Sequence, residues 1–278
     1  MRRREFLLSV GLTIVAGRLL RAGGLPPEFV NVYRPALERL RQAYGLVTVE
    51  GTLSTELPQE EKSSEQAFIF IADGRKRRLD LRTLSQRGMG LQVGASVMMM
   101  ATPFGSLNTE TRPNSKFFDD AQQRDYASVV TEIDQKSLLT FPYALGSPTT
   151  ILDMLQASAV KVTKVKWIRR GGKAMVQVDY HESGRHVGHS GNWNSTLVLS
   201  PDDGWALRSF NRVLSGGSDR ISQHGELQYS SGENGIPLVE SIFVETSRGN
   251  HVARREGISV KSVDFTSPDP IFFDSFTF

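Results

Sequence analysis

Between residues 25 and 44 the apolar positions recur at helical spacing. Phe29, Tyr33, Leu37, Leu40 and Tyr44 share one face of LPPEFVNVYRPALERLRQAY. The pattern predicts a helix over 27–43, with Pro35 kinking it or dividing it in two, because proline has no N–H to donate. After Gly45 the period drops to two. LVTVEGTLSTEL, EQAFIFIADG, RKRRLDLRTL and ASVMMMATP read as strands, with Asp73-Gly74 turning the second into the third.

Periodicity is weakest between residues 105 and 145. GSLNTETRPNS reads as loop, and FFDDAQQRDYASVVTEID as helix, with Phe118, Gln122 and Tyr126 stacked. SPTTILDMLQAS predicts a helix over 148–157, with Ser147 as its N-cap, Pro148 at the first turn and Ile151, Leu152 and Leu155 as its apolar stripe. The remainder is strand. KVTKVKWIRR turns through Gly171-Gly172 into KAMVQVDYHE, and NSTLVLS turns through PDDG into WALRSFNRVL. ISQHGELQYS, IPLVESIFVETS and HVARREGISVKSVDF complete a meander. Turns at this spacing leave no room for helical crossovers, so the pairing is antiparallel. The expected fold is mainly β: one curved antiparallel sheet of about 10–11 strands, with two or three helices against its concave side.

Composition narrows the chemistry. The 278 residues include no cysteine, which excludes disulfides, thiolate metal sites, a cysteine nucleophile and a cysteine-linked acyl anchor. The formal charge of +3 sits at the start of the chain. Arg2, Arg3, Arg4, Arg18 and Arg21 against Glu5 give +4, so the remainder is near neutral and carries no global signal for nucleic acid.

That start is MRRREFLLSVGLTIVAG. Its uncharged run, Phe6 to Gly17, is shorter than the about 20 apolar residues that span a bilayer. Leu7, Leu8, Val10, Leu12, Ile14 and Val15 surround a helix rather than lining one face. A basic cluster before a short apolar core is the form of a secretory leader. Arg3 and Arg4, followed by Phe6 and Leu7, match the twin-arginine pattern of the route that exports folded proteins. Residues 1–24 are therefore expected to be an export signal, read by the export machinery, with periplasm or cell envelope as the destination. The other reading is an amphipathic first helix of a cytoplasmic protein.

A helix before the first strand, a long antiparallel meander and a mid-chain helical insertion, together with the leader, resemble the outer-membrane lipoprotein carrier (LolA-like) superfamily. The hairpin LVLSPDDGWALRSFNRV is similar to one in uncharacterised bacterial secreted proteins of that kind. The resemblance spans 25–265 as a single domain and implies an incomplete barrel around a hydrophobic cavity. It implies a non-enzymatic envelope protein that binds a lipid or acyl chain without any cofactor. The longer segments at 105–145 and 181–195 depart from the family, and no local motif carries its functional residues over. The competing reading is an interaction or sensor module with a filled core, meeting another envelope protein.

Individual residues add candidates. Met98 and Met100 share one face of their strand, and Leu79 and Leu81 on the preceding strand are expected to line the same face. Unbranched, polarizable side chains there suit an adaptable cavity wall, and plain core packing is the competing reading. His181, His186 and His189 lie in what reads as a Gly-rich hairpin loop and lack helical ligand spacing, so no metal site is assigned. Gly188-His189-Ser190-Gly191 lacks the glycine and the strand-to-helix turn of a nucleophile elbow. Asp119, Asp120 and Asp125 read as a solvated helix face, and Asp202 and Asp203 as turn residues, so no catalytic set emerges. Arg75, Lys76, Arg77 and Arg78, and Arg169, Arg170 and Lys173, form basic patches without interleaved aromatics, which fits a charged sheet edge better than a nucleic-acid surface. After Pro268 and Pro270 the tail 266–278 carries Phe272, Phe273, Phe276 and Phe278. It is expected to fold back into a groove, at the open sheet edge or against the first helix; a free recognition tag is the alternative.

Overall fold

The computed structural model describes residues 24–113, 120–145, 149–186, 189–215, 220–232 and 235–273. A helix α1 (Pro27–Tyr44) precedes five strands: β1 (Leu46–Leu57), β2 (Lys62–Asp73), β3 (Lys76–Arg87), β4 (Ser96–Thr102) and β5 (Gly105–Thr111). A short β6 (Asp120–Gln123) is followed by three helices, α2 (Tyr126–Ser137), α3 (Phe141–Ala144) and α4 (Ile151–Gln156). Seven strands follow among the described residues: β7 (Val160–Arg170), β8 (Lys173–His186), β9 (His189–Ser200), β10 (Ala206–Ser215), β11 (Ile221–Ser231), β12 (Pro237–Arg248) and β13 (His251–Asp264).

All thirteen strands form one sheet in the order β6-β5-β4-β3-β2-β1-β13-β12-β11-β10-β9-β8-β7. Two meanders are joined where β1 pairs with β13, Leu53 opposite Ile258. The sheet does not close, because β6 and β7 stand at opposite edges. It curls. Seven strand spacings, about 34 Å in a flat sheet, separate β4 from β10. Yet α2 packs on β4, and α3, beginning four residues after α2 ends, packs on β10. The mainly β architecture with helices on the concave side follows the expected fold class, with more strands than expected.

Close backbone approach explains two glycines. Gly225 stands opposite Phe210, where an added Cβ would lie 2.0 Å from the ring. Gly51 stands opposite Phe68, and an added Cβ would lie 2.3 Å from the Ser259 carbonyl oxygen.

The differences from expectation concentrate where the period was weak. Gly105–Thr111 and Asp120–Gln123 are strands, and helix begins only at Tyr126. Asp125 does not lie on a helix face. It is the N-cap of α2, its carboxylate accepting the Ser128 N–H at 2.9 Å, a bond that holds its pKa below the usual carboxylate range. Thr150 caps α4, accepting from the Asp153 N–H at 3.2 Å; Ser147 and Pro148 lie outside the described residues. Pro35 does not divide α1, whose stripe of Phe29, Tyr33, Leu37, Leu40 and Tyr44 is wholly buried. Packing of that stripe outweighs one missing N–H. The histidine segment is not a loop: β8 and β9 run on until His186 pairs with His189.

The tail folds back, but onto neither expected place. Phe273 is buried against Ile71 and Met100 on the face of the sheet away from the helices. The Arg78 Nη1 donates to the Phe272 carbonyl at 2.8 Å, and the Lys76 Nζ lies 5.1 Å from the Phe273 ring centroid. Residues 274–278, with Phe276 and Phe278, lie outside the described residues.

Candidate functional site

The concave face is apolar, with walls from both meanders and a packed core between them. Val49, Phe70, Leu79 and Met99 line one wall, and Val178, Leu199, Phe210 and Leu227 the other. Helices α1 to α4 cover it and contribute Tyr33, Ile133, Phe141 and Leu152 to the same core. At one end aromatic rings stack in series. Phe29 and Tyr33 lie 5.1 Å apart, each within 6.0 Å of Trp205, and Trp205 meets Trp167 edge-on at 6.1 Å.

At the other end of α1, beside the packed core, lies a cleft of about 430 Å³. The end of α1 supplies Arg41, Gln42 and Gly45; the β2–β3 turn supplies Gly74 and Arg77; α2 supplies Asp134; α3 and its flanks supply Thr140, Tyr143 and Thr150. The Arg77 guanidinium is held by the backbone, Nη1 donating to the Gly74 and Lys76 carbonyls at 2.8 and 2.9 Å. Its Nε lies 3.6 Å from Asp134 Oδ1, an ion pair too long for a hydrogen bond. Burial pushes the Asp134 carboxyl up to about 6, against the opposing pull of Arg77. Burial also pushes the Tyr143 phenol up to about 12, with the Asp134 charge adding to it. The Thr140 hydroxyl is buried with no hydrogen-bond partner among the described residues. On the rim Arg41 grips Glu38 at 3.0 Å and holds its carboxyl below the usual range. The cleft thus offers a cation, a carboxylate of raised pKa and a free hydroxyl beside the apolar core.

The candidate cavity residues divide between two faces. Leu79 stands opposite Met99, and Leu81 opposite Val97, on the helix side; Met100 stands opposite Arg78, and Met98 opposite Asp80, on the outer side. The expectation that Met98 and Met100 share a face with Leu79 and Leu81 is therefore corrected. Paired residues of an antiparallel ladder point the same way, and here Met99, not its neighbours, faces the hollow.

The other candidates fall elsewhere. Arg3, Arg4, Phe6 and Leu7 lie outside the described residues, as does Asp119. The basic cluster at 75–78 is largely engaged within the chain: Arg77 as above, Arg78 on Asp80 at 2.9 Å, and Lys76 on Asp73 at 3.4 Å. Asp203 pairs with Arg208 at 2.9 Å. Among the described residues no three His, Asp or Glu side chains gather closely enough to hold a metal ion, and no helix is long and apolar enough to cross a membrane. Sequence reasoning missed the Arg77–Asp134 pair. Its one signal was an aspartate directly after Ile133 in a helix whose Val129 and Ile133 are buried.

No family model and no curated protein matches the sequence. Solved structures are similar in chain course. A candidate outer membrane lipoprotein-sorting protein domain from Vibrio parahaemolyticus is 9% identical with a TM-score of 0.49, covering 87% of this chain and 95% of its own. A LolA superfamily protein from Nitrosomonas europaea is 7% identical with a TM-score of 0.48, covering 87% of this chain and 97% of its own. A DUF1329 family protein from Desulfovibrio piger is 10% identical with a TM-score of 0.47, covering 88% of this chain and 97% of its own.

Proposed function

We propose that this chain is a non-catalytic binding protein of the bacterial cell envelope, exported through its twin-arginine leader, which takes a lipid or other acyl ligand into the hollow of its sheet. The observation that carries this reading is the covering of the apolar concave face by short helices. The helices α2, α3 and α4 lie over it, and α2 and α3 end at Leu138 and Leu145, both in the left-handed region at φ 55° and 50°. Short helices joined at strained non-glycine residues hold little of their own stability and depend on packing, so they can be exchanged for another apolar occupant. The polar cleft beside the core suits the headgroup of such a ligand.

A second reading is favoured by the aromatic stack. With Phe29, Tyr33, Trp205 and Trp167 in serial contact, the hollow is filled at that end, as in a module that meets a partner protein through its surface. Hydrogen exchange with and without a long-chain fatty acid separates the two. Ligand in the hollow makes backbone amides of 126–156 exchange faster as the helices are displaced. Unchanged exchange there, with fatty acid present in excess, favours the filled module.

A further inference from the structure

Strand β7 ends the sheet: it pairs with β8 on one side, and among the described residues its other edge carries no strand. The opposite edge, β6, is only four residues long. A shift in register between Val162 and Lys164 disturbs the start of β7, so the regular stretch is Lys164–Arg170. Natural edges are usually blunted by being short, bulged or charged. This stretch is seven residues of unbroken ladder blunted by cations alone, Lys164, Lys166, Arg169 and Arg170, which an anionic strand would neutralise, and Val165, Trp167 and Ile168 along it are partly buried. The outward backbone donors and acceptors of this edge have no strand partner among the described residues.

Charge says which strand. Lys164 and Lys166 share the outer face with Arg170, and Arg169 and Lys173 lie at the turn. No ion pair among the described residues engages Lys161, Lys164 or Lys166. Asp179, across from Lys164, is taken by Gln177 at 2.7 Å and Thr196 at 2.8 Å. Arg170 alone reaches a carboxylate, Glu226 at 3.2 Å. A second copy of this chain is a poor occupant, because antiparallel pairing of two such edges sets lysines and arginines against one another.

We propose that Lys164–Arg170 receives an extended, acidic segment of a partner protein as a fourteenth strand. Main-chain bonds to the free edge supply affinity, and alternate carboxylates of the segment meet the lysines of the outer face. This surface lies on the sheet rim, outside the cleft at the end of α1, and does not depend on what fills the hollow.

The test uses the full chain and a synthetic nine-residue peptide alternating glutamate with valine, its ends blocked. Binding is followed by titration calorimetry, and hydrogen exchange locates it. The peptide is expected to bind and to slow exchange within 164–170. N-methylation of its alternate amides should weaken binding about tenfold or more, since those bonds are then lost. The Lys164→Glu, Lys166→Glu double variant, checked for unchanged melting, should lose the acidic peptide by a similar factor and gain the corresponding lysine–valine peptide. Absence of binding overturns the proposal. So does binding indifferent to N-methylation, which would be charge attraction alone. So does sedimentation showing a dimer of the chain whose protected amides map to β7.

Discussion

Arg77 of β3 and Asp134 of α2 meet 3.6 Å apart between the sheet and the helices that cover it, with their side chains 15% and 10% exposed. Both line the cleft at the end of α1, and burial of the carboxyl sets a pH dependence. In the folded protein Asp134 keeps its proton up to about pH 6; in the unfolded chain it releases it near 3.8. Between those values the native state binds more protons, so the stability attributable to Asp134 falls as pH rises from about 4 to 6 and is level above. The change amounts to about 3 kcal/mol.

The Asp134→Asn variant removes that titration while keeping the side-chain shape. Its stability relative to the parent chain, from urea unfolding at a series of pH values, should rise by about 3 kcal/mol between pH 4 and 7. A difference that stays flat across that range contradicts a buried carboxyl of raised pKa.

Two buried tyrosines of α1 should respond oppositely to loss of the hydroxyl. Tyr44 Oη donates to the Pro237 carbonyl at 2.8 Å and accepts from the Val239 N–H at 3.0 Å, tying α1 to β12. Tyr44→Phe strands both backbone groups in the interior and should cost about 1–3 kcal/mol. The Tyr33 hydroxyl is equally buried but has no hydrogen-bond partner among the described residues. Tyr33→Phe should leave stability unchanged or raise it, because an unsatisfied hydroxyl is removed. Thermal unfolding of the two variants side by side checks the contrast.

The C-terminal segment acts as a clip on the outer face. Truncation after Asp269 removes Phe273 from its site on Ile71 and Met100 together with the Arg78 bond to Phe272. Burial of one phenylalanine is worth about 1.5–3 kcal/mol, so the melting temperature should fall by about 3–10 °C and binding of a hydrophobic dye should rise. Unchanged melting and dye binding would show that the segment contributes nothing to the fold.

The physics that made parts of this fold legible also explains the rest. Phe29 to Tyr44 read correctly because one face of α1 is buried and the other wet. The hairpins read correctly because Gly171-Gly172 and the PDDG turn demand conformations few other residues adopt. The sequence pattern puts Met98 and Met100 on the face that Met99 occupies, because both sides of β4 are covered: Met99 by the core on the concave face and Met100 by Phe273 arriving from the far end of the chain. An uninterrupted apolar run hides its own parity. Ser106 and Thr109 blurred β5 for the converse reason, being polar residues in buried strand positions. The Arg77–Asp134 pair joins residues 57 positions apart, and no local spacing announces such a contact.

On the proposed function, an apolar ligand enters the concave face in exchange for its helical cover. Native mass spectrometry of the protein purified from its own cells, without detergent extraction, distinguishes an occupied chain from an empty one. The expected spectrum contains a population carrying an added mass of a single lipid or acyl species, removed by organic solvent and restored by adding fatty acid back. A spectrum holding only the bare polypeptide, before and after fatty acid is supplied, would contradict it.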